Sequence, residues 1–197
     1  LDKHVKNLQS FGQTVVIAFN KFATDTDEEI DVLRKHCEEM GCGFAVNSAF
    51  AEGGKGAMEL AELVVKTIDE HPSAPLYFTY DDDEPVEKKI EDVAFNLYGA
   101  GSVTLSDSAK AMIEEIKKLG AEKFPICIAK TQYSFSTDAK AYGPTEGFEL
   151  HVRDITVNMG AEMIVVIAGP IMRMPGLPKS PQAERIDVVN GEITGLS

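Results

Sequence analysis

Phe22 and Phe50 are the side chains best placed to do chemistry, and that chemistry is the stacking of a flat heterocycle. Phe22 lies in the polar turn Asn20-Lys21-Phe22-Ala23-Thr24-Asp25-Thr26, directly after the strand-like run Thr14–Phe19. Phe50 lies in Asn47-Ser48-Ala49-Phe50-Ala51-Glu52-Gly53-Gly54-Lys55-Gly56, directly after a second run, Gly43–Val46. Uncharged, apolar runs that stop abruptly at a polar turn read as buried parallel strands. The turn then sits at the carboxyl edge, where open α/β sheets bind ligands. Two neighbouring crossovers would project both aromatics from one rim. A single phenylalanine after a strand is ordinarily a core residue, so the pairing gives the ring-binding reading its weight.

Other motifs are weaker. Gly53-Gly54-Lys55-Gly56 opens a helix and offers backbone N–H groups and a cation to an anion, but the chain lacks the GxxxxGK[ST] spacing that cradles a triphosphate. Asn20-Lys21 begins like the guanine-reading NKxD motif, yet the acid's place is taken by Ala23 and Asp25 falls two positions late. Lys130, in the donor-dense Lys130-Thr131-Gln132-Tyr133-Ser134, has the chemistry to neutralise a phosphate or carboxylate, and a structural pairing accounts for it equally well. Arg173 lies in Ile171–Pro178, a loop with two prolines that reads as a domain-packing clasp. Asp81-Asp82-Asp83-Glu84 precedes Pro85 and a helical pattern, so carboxylates opposing a helix dipole explain it without a metal. No nucleophile–His–acid set assembles. His4, His36 and His71 fall on helical patterns, His151 falls on a strand, and Cys127 sits inside the apolar run Ile126–Ala129 as a packed thiol.

Composition narrows the function classes. A net charge of −13 over 197 residues opposes broad contact with nucleic acid, which needs a basic stripe to displace counterions. No apolar run approaches the length that crosses a bilayer, and no secretory pattern opens the chain. Cys37, Cys42 and Cys127 have no zinc-type spacing and fit a reduced, cytoplasmic setting. The chain opens on Leu1 in what reads as mid-helix, as a piece of a longer polypeptide would.

The elements that position the two aromatics follow from periodicity. Val5, Leu8 and Phe11 share one helical face. Thr26 is an N-cap followed by Asp27, Glu28 and Glu29, and Ile30, Leu33, Cys37 and Met40 carry the stripe to a stop at Gly41. Gly56–His71 is a second amphipathic helix with Met58, Leu60, Leu63, Val64 and Ile68 inward, ended by Pro72. Beyond His71–Pro75 the pattern predicts a short strand at Leu76–Tyr80 and a helix from Pro85 with Val86, Ile90, Val93, Ala94 and Leu97 inward. A strand at Val103–Leu105, a helix capped by Ser106 and ended at Gly120, and a strand at Ile126–Ala129 follow. The end is strand-rich: Phe148–Val157, Met163–Ala168, and a hairpin turning at Asn190-Gly191. The expected fold is α/β. Residues 1–75 form the closing part of a parallel-sheet nucleotide-binding domain, and residues 76–197 form a smaller mixed α/β region.

Taken together, Phe11-Gly12 with Val15–Ala18, Asn20–Thr26, Ala51–Ala57, Tyr98-Gly99-Ala100, Phe124–Ser134 and Met174–Pro178 resemble the formate–tetrahydrofolate ligase family, in the family's order. The resemblance covers roughly the last third of a member. It implies a P-loop-type nucleotide and folate domain whose phosphate-handling residues lie upstream. It also implies ligation of formate to tetrahydrofolate with ATP and magnesium, through formyl phosphate, in a cytoplasmic homo-oligomer. Phe22 matches a family phenylalanine, and Phe50 stands where tryptophan is usual; the two are expected to sandwich the pteridine ring. Asn20 and Ala23 belong to the same turn, Ala23 replacing a frequent proline. Ala51, Glu52, Gly53, Gly54, Lys55 and Gly56 line the pocket; Lys130 and Arg173 are supporting cations by their own chemistry and location, not by the resemblance. Trp-to-Phe keeps a stacking face but loses area and the indole N–H.

Two functions are therefore set against each other. One is the folate wall of the ligase, inactive alone for want of a P-loop. The other is a non-catalytic binding or subunit-assembly module derived from it.

Overall fold

A helix, α1 (Asp2–Ser10), leads into two parallel strands, β1 (Val16–Asn20) and β2 (Gly43–Asn47), paired from Val16 opposite Gly43 to Asn20 opposite Asn47. The computed structural model of the chain describes residues 1–171 and 179–195. Between β1 and β2 runs α2 (Asp27–Glu39). Its start is fixed by a reciprocal cap: the Thr26 hydroxyl accepts the Glu29 N–H at 3.3 Å, and the Glu29 carboxylate accepts the Thr26 N–H at 2.9 Å. After β2 come a single helical turn, α3 (Ala49–Glu52), a 3-10 turn (Gly53–Ala57) and α4 (Met58–Glu70).

The second half begins with α5 (Val86–Asp92), which passes into π-helical turns at Val93–Tyr98 and stops at Gly99 in the left-handed conformation. Strand β3 (Ser102–Leu105) precedes α6 (Asp107–Leu119), which the Ser106 hydroxyl caps by accepting the Ala109 N–H at 3.0 Å and left-handed Gly120 ends. Then follow β4 (Ile126–Ala129), β5 (Glu149–Val152), β6 (Asp154–Asn158), β7 (Met163–Ile167) and a hairpin of β8 (Asp187–Val189) and β9 (Glu192–Thr194). Strands β3 and β5 pair in parallel; β4 pairs in parallel with β7, and β7 antiparallel with β6. The molecule is thus mixed α/β with small parallel and mixed sheets.

Apolar side chains gather in two clusters. A large one joins α5, α6 and the strands β5 to β7 around Ile90, Ile113, Ile116, Leu150, Ile155 and Ile164. A small one holds Val5, Val15, Cys37 and Cys42. Helix α1 also reaches the second half, where the Asn7 side chain donates to the Leu97 carbonyl at 3.0 Å.

Several expectations are corrected. Leu76–Tyr80 is not a strand. Its backbone bonds to the turn after α1, with the Tyr77 N–H donating to the Phe11 carbonyl at 3.1 Å, and the Tyr77 ring lies over Gly12. Met58, Val64 and Ile68 are exposed rather than inward, because the two strands β1 and β2 are too narrow to cover α4; Leu60 and Leu63 are half-buried. Leu8 is exposed although Val5, on the same face, is buried. Cys127 is exposed, since strand alternation turns Ile126 and Ile128 to the core and the thiol outward.

Candidate functional site

The paired ends of β1 and β2 create the site. Because the strands run parallel and in register, Asn20 and Asn47 stand opposite each other at the carboxyl edge. The Asn47 amide donates to the Asn20 side-chain oxygen at 2.8 Å, and its own oxygen accepts the Ala49 N–H at 3.2 Å. The Lys21 N–H donates to the Asn47 carbonyl at 3.0 Å, adding one rung beyond the ladder. One asparagine therefore ties the first turn to the second and starts α3.

Each aromatic is held by its own turn. In the first, the Asp25 carboxylate accepts the Phe22 N–H at 2.7 Å while the Asp25 N–H donates to the Phe22 carbonyl at 3.1 Å. That reciprocal clasp closes a tight loop around Ala23 and Thr24 and leaves the Phe22 ring outward, 68% exposed. In the second, the Ser48 N–H donates to the Gly56 carbonyl at 3.0 Å, folding Ala51–Lys55 into a closed loop. Gly56 is buried against Ser48, where a Cβ would lie 2.5 Å from the Ser48 carbonyl carbon. Phe50, on α3, is fully exposed at 103%. Both rings are thus exposed on turns whose backbone is pinned by these bonds.

The remaining loop residues, Ala51, Glu52, Gly53, Gly54 and Lys55, are all exposed, and Gly53 adopts φ +61°, a conformation that favours glycine. Lys21 is half-buried and leans towards Asp27 at 3.4 Å. The 890 Å³ groove lined by Phe11, Leu76–Asp82, Glu84 and Pro125 contains no residue of this rim. Lys130 is likewise elsewhere. It lines a groove with Tyr98, Tyr133 and the start of α1, and no residue of the two aromatic turns shares that lining. Arg173 and Met174–Pro178 lie outside the described residues.

Asn47 and Asp25 are the rim residues that sequence reasoning undervalued. In the sequence Asp25 stands out only as a misplaced acid of a base-reading motif. Its spacing three residues after Phe22 was the available signal, since a short carboxylate commonly bonds nearby backbone.

Among the described residues no group of three or more His, Cys, Asp or Glu is arranged to hold a metal ion, and no helix is long and apolar enough to cross a membrane. The sequence also contains no GxxxxGK[ST] segment.

Fold and rim define a class: an α/β protein that offers two aromatic faces beside one strand edge. Comparison with known proteins narrows the class. The family model for formate–tetrahydrofolate ligase matches residues 1–197. Formate–tetrahydrofolate ligases of Phocaeicola vulgatus and Bacteroides fragilis are 64% and 62% identical over the whole chain, and that of Psychrobacter sp. is 48% identical over 200 aligned residues. The chain belongs to the formate–tetrahydrofolate ligase family. It spans 36% of the length of the Bacteroides relative, although all of the chain is matched.

Proposed function

We propose that this chain supplies the folate-ring wall of an ATP-dependent ligase that joins formate to tetrahydrofolate, giving 10-formyltetrahydrofolate through formyl phosphate. The carrying observation is the pair of exposed rings, Phe22 and Phe50, on turns that leave adjacent parallel strands at one edge. In this reading the pteridine slides between the two faces, and the Asn20–Asn47 bond sets the spacing of the turns. Ala51, Glu52, Gly53, Gly54, Lys55 and Gly56 wall the slot through their backbone, while the small side chain of Ala23 leaves its mouth open. ATP, formate and magnesium are handled by residues outside this chain, in the upstream part of the same polypeptide. Residues 1–75 then close the P-loop-type domain and 76–197 form the smaller region, with Lys130 lining a groove apart from the aromatic turns. The assembled enzyme is a cytoplasmic homo-oligomer that contacts neither nucleic acid nor membrane.

Holding the ring is a positioning role. Attack of the folate nitrogen on an activated formyl carbon gains its rate from orientation, so fixed aromatic faces act by limiting the approach geometry.

Titration calorimetry of the chain with a non-reactive folate analogue tests the assignment. Phe22→Ala and Phe50→Ala should each weaken binding by about tenfold, the size of one stacking contact. Both variants should melt as the parent does, because the rings are exposed. Unchanged affinity in both would remove the ring-binding role.

The assembly reading draws support from a separate feature, the bare apolar face of α4, where Met58, Val65 and Ile68 are all exposed. Neither reading expects product from the chain alone, so analogue binding separates the two: affinity that falls in Phe22→Ala and Phe50→Ala supports the ring wall, and no affinity in the parent chain leaves the assembling role.

A further inference from the structure

Lys130 lies outside the slot just described and poses a different problem. It follows β4, half-buried, with its ammonium donating to the carbonyl oxygens of Thr131 at 3.3 Å and Ser134. The charge also sits 4.6 Å from the centroid of the Tyr98 ring. No carboxylate pairs with it among the described residues. Carbonyl dipoles and a π face lower the cost of holding the charge, but neither neutralises it. An ammonium carries three donors, and the carbonyls use two.

A groove of about 590 Å³ opens beside Lys130, lined also by Lys3, His4, Gln132 and Tyr133. Its single acidic lining residue, Asp2, already accepts a bond from His36 at 2.8 Å. Two lysines thus line a groove whose carboxylate is engaged, Lys3 also donating to the Asn96 carbonyl at 3.5 Å, on a chain whose net charge is −13. Against that background a locally cationic groove stands out as an exception. The turn behind Lys130 is stiff, since the Ser134 hydroxyl donates to the Ala141 carbonyl at 2.7 Å and accepts the Ser136 N–H at 3.0 Å. Burial lowers the Lys130 pKa from the ordinary lysine range, as for a cation lacking a counter-charge.

We propose that this groove is an anion-binding site, in which Lys130 and Lys3 receive the phosphate or carboxylate group of a ligand and Gln132 donates from the rim. The site is independent of the aromatic slot, so its test does not depend on folate binding.

Inorganic phosphate and succinate are titrated separately into the 15N-labelled chain at constant ionic strength, with chloride as the reference salt. Saturable shifts at Gln132, Tyr133 and Ser134, absent with chloride, are expected for at least one anion. Saturation by phosphate alone assigns the site to phosphate, and by succinate alone to carboxylate. Lys130→Met should weaken that binding by about tenfold or more, the worth of a charge-assisted hydrogen bond. Lys3→Met, at the lip, should weaken it less and leave the fold intact. Shifts that fail to saturate with either anion, or that lie away from the groove, overturn the proposal. So does full affinity in Lys130→Met. Should that variant not fold, the wild-type map and Lys3→Met still decide.

Discussion

The two halves of the chain divide their apolar residues unequally. Fourteen buried residues form the cluster around α5, α6 and the strands of the second half, against four in the cluster beneath β1 and β2, among the described residues. The first half carries the aromatic rim, and its helix α4 has no buried residue. A parallel sheet normally has both faces covered, and two strands alone are marginal. Stability in this molecule therefore resides in one half, and the proposed binding surface in the other. The rim has compensated with local devices, namely the Asp25 clasp, the Asn20–Asn47 bond and the Gly56 closure. Such devices fix turns without requiring a deep core.

The largest effect should come from the second half. Ile164→Ala removes a fully buried side chain from β7, inside the large cluster, and should cost about 2–5 kcal/mol. Urea unfolding followed by far-UV circular dichroism measures it. A loss below about 1 kcal/mol would mean that the large cluster is loosely packed and that the contrast between halves is false.

Gly56→Ala breaks the rim itself. The new methyl would meet the Ser48 backbone at 2.5 Å, too close for rotamer adjustment to relieve. The expected loss is about 1–3 kcal/mol, as for other overpacked sites. Folate-analogue affinity should fall with it, since the Ser48–Gly56 bond holds the loop that carries Phe50. Retained stability with lost affinity would show the closure to be a binding device only.

Next comes Thr26→Ala, which removes one arm of the cap on α2 and should cost about 1 kcal/mol. The other arm makes the cap sensitive to acid. The Thr26 backbone N–H, and then its hydroxyl, hold the Glu29 carboxyl below its ordinary range. A depressed folded-state pKa contributes stability that is complete above the unfolded value and is lost as pH falls through the folded one. Glu29→Gln keeps an acceptor for the Thr26 N–H and should flatten that part of the acid limb in pH-dependent unfolding.

Strand and cap positions were legible because they depend on neighbours in sequence. Thr26, Ser106 and Gly120 end helices where their chemistry says they must, and Ile126–Ala129 is a strand to the residue. The shared edge of Phe22 and Phe50 was legible for the same reason: each follows a parallel strand by two or three residues. What was not legible depends on distant partners. Leu76–Tyr80 has strand-like residues, but its hydrogen bonds are taken by the turn after α1, far back in the chain. The side of β4 that faces the core is set by α5 and β7, so the Cys127 thiol could not be placed from its own run. Asn47 was visible as a polar residue, but its partner Asn20 is known only once the strands are in register.

The smallest effect sharpens the comparison most. Ile68 on α4 is 63% exposed, on a helix whose apolar stripe its sequence would otherwise send inward. Ile68→Gln should change the stability of this chain by less than about 0.5 kcal/mol, as at any solvated site. The same substitution in a full-length relative has a different expected outcome under the proposed function. There the upstream part of the polypeptide supplies more sheet, the stripe becomes buried, and an unpartnered amide beneath it should cost about 1–3 kcal/mol. Thermal melts of the two pairs of proteins give the difference directly. Equal effects in both would mean that α4 stays bare in the longer protein, and the apolar face would then have to be explained by association between copies rather than by additional sheet.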